Sequence, residues 1–120
     1  MRSEEIQRSL EGLKASSQEI EAVALVSQEG FIIASLLPEA IDEERIAVLS
    51  LTFQSLADRY ATELGKGQPR RFFVETDYGY IVVMDIGLDT FLTVTSNRFG
   101  RPGLLLLDMK RTAEELNSLL

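Results

Sequence analysis

From Glu4 to about Ser17, Ile6, Leu10 and Leu13 recur at helical spacing among Glu, Gln, Arg and Lys. This pattern predicts an amphipathic helix with one narrow buried stripe. Ser3 stands where an N-cap would, and Glu4 and Glu5 complement the first turn. Ala22 to Ser27 is short and apolar with two valines, which predicts a strand buried on both faces. Gln28, Glu29 and Gly30 then form a tight turn, Gly30 being free to take positive φ. Phe31 to Ser35 returns as the second strand of a hairpin.

Pro38 and Asp42 bracket the start of a longer helix, running from Asp42 to about Leu64. Within it Ile46, Leu49, Phe53, Leu56, Tyr60 and Leu64 alternate three and four apart, the spacing of a core stripe. The opposite side of the wheel holds Val48, Leu51, Thr52 and Ser55, small or apolar where a solvent face normally carries charge. The helix thus reads as two-faced. A second surface covering Val48 and Leu51 is one explanation; isolated apolar side chains that need no partner are the other. Gly65, Lys66, Gly67, Gln68 and Pro69 end the helix.

Three strand-like segments follow. Arg71 to Thr76 leads through Asp77, Tyr78 and Gly79 into Tyr80 to Asp85, and Ile86, Gly87 and Leu88 turn the chain into Asp89 to Thr95. A loop from Ser96 to Gly103 precedes a final helix carrying Leu105, Met109, Leu116 and Leu120. The order α-β-β-α-β-β-β-α, with hairpin-length turns inside each strand group, predicts an α+β sandwich with a five-stranded antiparallel sheet. A length of 120 residues without linker, repeat or low-complexity stretch predicts one domain over 1–120.

Composition narrows the function. With 45% hydrophobic and 26% charged residues the chain falls in the globular range. Its longest apolar runs, Leu104 to Leu107 and Tyr80 to Met84, fall far short of the roughly 18 to 20 residues that span a bilayer. Met1, Arg2, Ser3, Glu4 and Glu5 do not resemble a signal peptide. Together with the absence of Cys, this predicts a cytoplasmic protein. His is absent too, which leaves only carboxylates, Lys, Tyr and hydroxyls for chemistry. No catalytic residue, cofactor site or metal site is expected. A formal charge of −7 and a pI near 4.6 argue against nucleic acid and anionic lipid as partners.

The remaining motifs carry bland readings. Gly65-Lys66-Gly67 lacks the spacing and the strand-to-helix context of a phosphate loop. Glu75, Asp77, Asp85 and Asp89 sit where turns favour acids and match no metal loop. Arg98, Arg101, Lys110 and Arg111 form the most basic region, read as a solvated patch. Tyr60, Tyr78, Tyr80, Phe72, Phe73, Phe91 and Phe99 read by default as core, although Phe73 would also serve as an interface anchor.

The hairpin AVALVSQEGFIIAS, the helix RIAVLSLTFQSLADRYATELG and the meander RRFFVETDYGYIVVMDIGLDTFLTVTS together resemble the Roadblock and dynein light-chain family. Within it they resemble the MglB-like regulators of Ras-like GTPases. Profilin-like and longin-like domains arrange similar elements, and PAS-type sensors usually need more length.

The resemblance implies a homodimer in which the third strand, here Arg71 to Glu75, pairs across a two-fold axis while the long helices pack side by side. Its dimer interface would comprise Val48, Leu51, Thr52, Ser55, Arg71, Phe73 and Glu75. The resemblance further implies a small Ras-like GTPase as partner, regulated without an inserted arginine and most simply toward hydrolysis. Arg45, Gln54, Asp58 and Arg59 are the candidate contacts. A structural light chain or scaffold subunit and a profilin-like or PAS-like ligand sensor remain the alternatives.

Overall fold

Two helices cover one face of a five-stranded sheet and the longest helix covers the other, in a computed structural model that describes residues 2–120. The elements are α1 (Arg2–Ala15), β1 (Ile20–Ser27), β2 (Ile32–Leu36), α2 (Glu43–Glu63), β3 (Arg71–Thr76), β4 (Gly79–Gly87), β5 (Thr90–Asn97) and α3 (Pro102–Leu119). The class is α+β. Strand order is β2-β1-β5-β4-β3 with every pairing antiparallel. Both strand groups form the hairpins that their turns predict, and the β1–β5 ladder, with Val23 opposite Val94 and Leu25 opposite Leu92, joins them. β2 and β3 are therefore the edges.

The main core lies under α1 and α3. Leu10, Leu13, Met109 and Leu116 meet Val23, Leu25, Val82, Leu92 and Val94, all fully buried or nearly so. Each such side chain contributes about 1.5–3 kcal/mol by leaving water, so this layer dominates the stability of the fold. The face under α2 is thinner: its buried cluster is Ala24, Val26 and Ala47, with Ile32, Leu37 and Ile46 packed around it.

Several boundaries differ from the sequence reading. α1 begins at Arg2, so Ser3 lies within its first turn and is not its cap. β1 starts at Ile20, two residues before Ala22, because Ile20 pairs with Ser96 and fills the main core. β2 is shifted one residue to Ile32–Leu36, Phe31 closing the turn through a bond from the Ser27 amide to its carbonyl. Asp42 does hold the N-cap position of α2, but its side chain makes no capping bond. The β4–β5 turn falls on Leu88 and Asp89, both at positive φ (57° and 54°), which lengthens β4 to Gly87. Two consecutive left-handed residues suit the twist of a tight hairpin, and here they form one without glycine at either position. α3 starts at Pro102, whose fixed φ suits a first helical turn.

Candidate functional site

α2 is seated by its smallest side chains. Ala47, Ser50 and Ala57 are its buried residues, and the Ser50 hydroxyl lies 2.8 Å from that of Thr93 on β5. Phe53 stacks on Phe72 of β3 with ring centroids 4.9 Å apart and planes at 13°. Because small residues face the sheet, bulky ones face away. Val48 (63% exposed), Leu49 (50%), Leu56 (46%), Tyr60 (63%) and Leu64 (65%) are open to solvent. At 3.6 residues per turn, Leu49, Leu56 and Tyr60 fall nearly on one line, with Val48 and Thr52 beside it.

The two-faced reading of this helix therefore holds with its faces redrawn. Of the series whose spacing predicts a core stripe, only Ile46 and Phe53 are half-buried, while Leu49, Leu56, Tyr60 and Leu64 are exposed. Leu51, expected to face out, is half-buried beside Gly30, where an added Cβ would lie 3.4 Å from its Cδ1. Thr52 and Ser55 are exposed as expected, the Thr52 hydroxyl donating to the Val48 carbonyl at 2.8 Å. Exposed Leu49, Leu56, Tyr60 and Leu64 are not among the interface residues that the sequence predicts. The alternation of small Ala47, Ser50 and Ala57 with bulky neighbours was the signal that could have found them.

β3 adds a free sheet edge beside this helix. Arg71, Phe73 and Glu75 pair with Met84, Val82 and Tyr80, which places them on the α1/α3 side of the sheet. The Phe73 ring sits 5.4 Å from that of Tyr80. Phe72 and Val74 alternate to the α2 side. The candidate interface residues thus split between opposite faces of the sheet, and the backbone edge of β3 is what the two groups share.

The candidate GTPase contacts split as well. Gln54 and Asp58 line a cleft of about 320 Å³ with Leu51, Gln68, Asp85 and Asp89. Arg45 and Arg59 are exposed on the outer side of the helix, Arg59 pairing with Glu63 at 3.6 Å. Such an exposed pair contributes little to stability.

Among the described residues, no group of three or more Asp and Glu is placed to hold a metal ion, and no buried side-chain polar atom lacks a hydrogen-bond partner. The clearest carboxyl perturbation is remote from α2: the Ser17 hydroxyl, donating at 2.7 Å, holds Glu19 below its ordinary value, aided by its own backbone amide and by Arg101. The Gly65 to Gly67 segment closes α2, the Lys66 amide donating to the Ala61 carbonyl. Of the aromatics read as core, Phe91 is buried, but Tyr60, Tyr78 and Phe99 are exposed. They fall on the outward face of a helix, a hairpin turn and a loop, where strand and helix periodicity do not bury them.

The sequence matches the Roadblock/LC7 domain family over residues 7–96. An uncharacterized protein of Methanocaldococcus jannaschii, MJ1340, is 28% identical over 109 residues, 91% of this chain and 89% of its own length. Myxococcus xanthus MglB superposes with a TM-score of 0.88 at 22% identity, covering 98% of this chain and 92% of that one. MglB in a tetrameric arrangement gives 0.87 at 18% identity, covering 98% and 89%. A LokiProfilin2 solved in complex with rabbit actin gives 0.69 at 16% identity, covering 98% of both chains. These superpositions establish a fold shared by Roadblock domains and profilins.

Proposed function

The chain belongs to the Roadblock/LC7 domain family, and on that premise we propose that it is a non-catalytic, cytoplasmic homodimeric adaptor. Its partner in this reading is a small Ras-like GTPase, and its output is stimulated GTP hydrolysis. The observation that carries the reading is the apolar line of Leu49, Leu56 and Tyr60 on the outward face of α2, next to the open edge of β3. A lone domain gains nothing from holding large apolar side chains in water. Two copies related by a two-fold axis would cover them with the same residues and pair the two β3 edges. The tetrameric arrangement of MglB supports self-association as a property of this fold.

In the dimer the two α2 helices form a platform. Arg45 and Arg59 on its outer side, and Gln54 and Asp58 at its flank, contribute shape and charge to the GTPase contact. A platform that binds one switch conformation more tightly than the other shifts the GTPase toward it in proportion to that difference. With neither His nor Cys in the chain, the hydrolytic groups belong to the GTPase in this scheme. Among the described residues no helix is long and apolar enough to cross a membrane.

The test is differential binding. The protein is run on a sizing column with a Ras-like GTPase from the same genome, loaded either with GDP or with a non-hydrolysable GTP analogue. Co-elution that depends on the nucleotide is expected. Co-elution indifferent to it would favour a structural light chain, and no co-elution in either state removes the GTPase as partner.

A further inference from the structure

The two ends of the sheet carry complementary surfaces that α2 and the β3 edge do not use. At one end the β1–β2 and β4–β5 turns are joined by a bond from the Gln28 amide to the Asp89 carbonyl, at 2.8 Å. They expose Phe31 (69%) and Leu88 (64%), with Glu29, Asp85 and Asp89 exposed around them. The cations at this end, Arg70, Arg71 and Lys110, line a cleft with Asp85 and Glu114 on the α3 side, away from Glu29 and Asp89. Leu88 occupies left-handed backbone at φ 57°, where Asn, Asp and Gly are accommodated more cheaply than Leu. The tip thus combines backbone strain with an apolar side chain in water.

At the opposite end, where β5 runs into α3, a cleft of about 400 Å³ opens between Ser16 to Ile20 and Phe99 to Asp108. Phe99 (66% exposed) and Leu104 (52%) form its apolar wall. Arg101 lines the cleft, and the Arg98 guanidinium lies 4.9 Å from the Phe99 ring centroid. Asp108 is engaged with Arg111 at 3.2 Å, and Glu19 is bonded to the Ser17 hydroxyl, with the Arg101 charge near it but not in ion-pair contact. Arg98 and Arg101 make no ion pair among the described residues.

We propose that the Leu88/Phe31 tip of one copy docks into the Phe99/Leu104 cleft of a second copy. Asp85, Asp89 and Glu29 then lie against Arg98 and Arg101. Leu88 and Phe31 gain the apolar cover that they lack, and the unpaired arginines gain carboxylates. Because the surfaces stand at opposite ends of β5, about 26 Å apart for its eight residues, one molecule cannot satisfy both with itself. The contact is heterologous and open-ended, so it adds units in a row. It is separate from the symmetric α2/β3 pairing and does not depend on it.

Sedimentation velocity tests the proposal on the full chain over a concentration series, at low ionic strength and in about 0.5 M salt, which shortens the reach of charge to a few ångströms. Wild type should grow beyond its low-concentration species as concentration rises, and salt should reverse the growth. Leu88→Asn keeps a residue suited to left-handed backbone, so it should fold at least as well as wild type. It should nonetheless weaken growth by roughly tenfold or more, the loss for one leucine left in water.

Arg98→Glu/Arg101→Glu should abolish growth. Mixing the two variants should restore association that neither shows alone, because the intact cleft of one meets the intact tip of the other. Absence of growth in wild type, growth unaffected by either change, or loss with only one of the two overturns the proposal. A mixture that forms no complex overturns it as well.

Discussion

The hydroxyls of Ser50 and Thr93 meet 2.8 Å apart in a buried contact that ties α2 to β5. Each is the other's partner, so removing one strands the other in the interior. Ser50→Ala and Thr93→Val should each lower the unfolding free energy by about 1–2 kcal/mol. The double change should cost clearly less than the sum, since it leaves no orphaned group. Urea unfolding of the three variants measures the coupling, and strict additivity would mean that the hydroxyls act independently.

The proposed interface predicts a difference among α2 substitutions. Leu56→Lys and Val48→Lys alter exposed side chains and should change monomer stability by no more than about 0.5 kcal/mol. Both should convert a dimer to monomers. Leu51→Glu instead places a charge where the side chain is half-buried beside Gly30, so it should lower stability by about 2 kcal/mol or more. Sedimentation equilibrium with parallel unfolding separates the cases, and dimers persisting in both lysine variants would move the interface elsewhere.

Two glycines should respond oppositely to alanine. Gly79 sits at φ 154°, where an added Cβ would collide with the Ser96 carbonyl of β5. Gly79→Ala must therefore shift a central ladder and should cost more than about 3 kcal/mol. Gly12 lies inside α1 with open space around its Cα. Gly12→Ala should add about 0.5–1 kcal/mol from helix propensity. Thermal melts of the pair check both signs.

Glu19 gives a pH signature. Its carboxyl is held below the ordinary value, first by the Ser17 hydroxyl, so the folded form binds a proton less readily than the unfolded chain. The resulting stabilisation is present above the unfolded value and is lost as pH falls through the lower folded one. Ser17→Ala should shrink the loss of stability on acidification below about pH 4.5, the ordinary value for this carboxyl. Unfolding midpoints of wild type and variant across that range provide the comparison.

The order of elements was legible because each segment keeps one period along its length: three and four in the helices, hairpin turns between short apolar strands. The β1–β5 ladder was not, since Val23 and Val94 lie too far apart in sequence for any local pattern to pair them. The burial of α2 failed for a different reason. Periodicity finds large apolar residues, whereas this helix seats Ala47, Ser50 and Ala57 against the sheet and turns Leu49, Leu56 and Tyr60 outward. The hydrophobic signal therefore marked the free face in place of the core. Pairing register likewise decides that Arg71, Phe73 and Glu75 share the α1/α3 side, which spacing along β3 alone leaves open.

We propose that the paired α2 helices of the dimer regulate a small Ras-like GTPase. Single-turnover GTP hydrolysis by such a GTPase from the same genome, with and without this protein, measures that regulation. Wild type should raise the rate by roughly tenfold or more, and Leu56→Lys should return it to the intrinsic value while the protein stays folded. A rate unchanged by wild type at every ratio of protein to GTPase contradicts the claim.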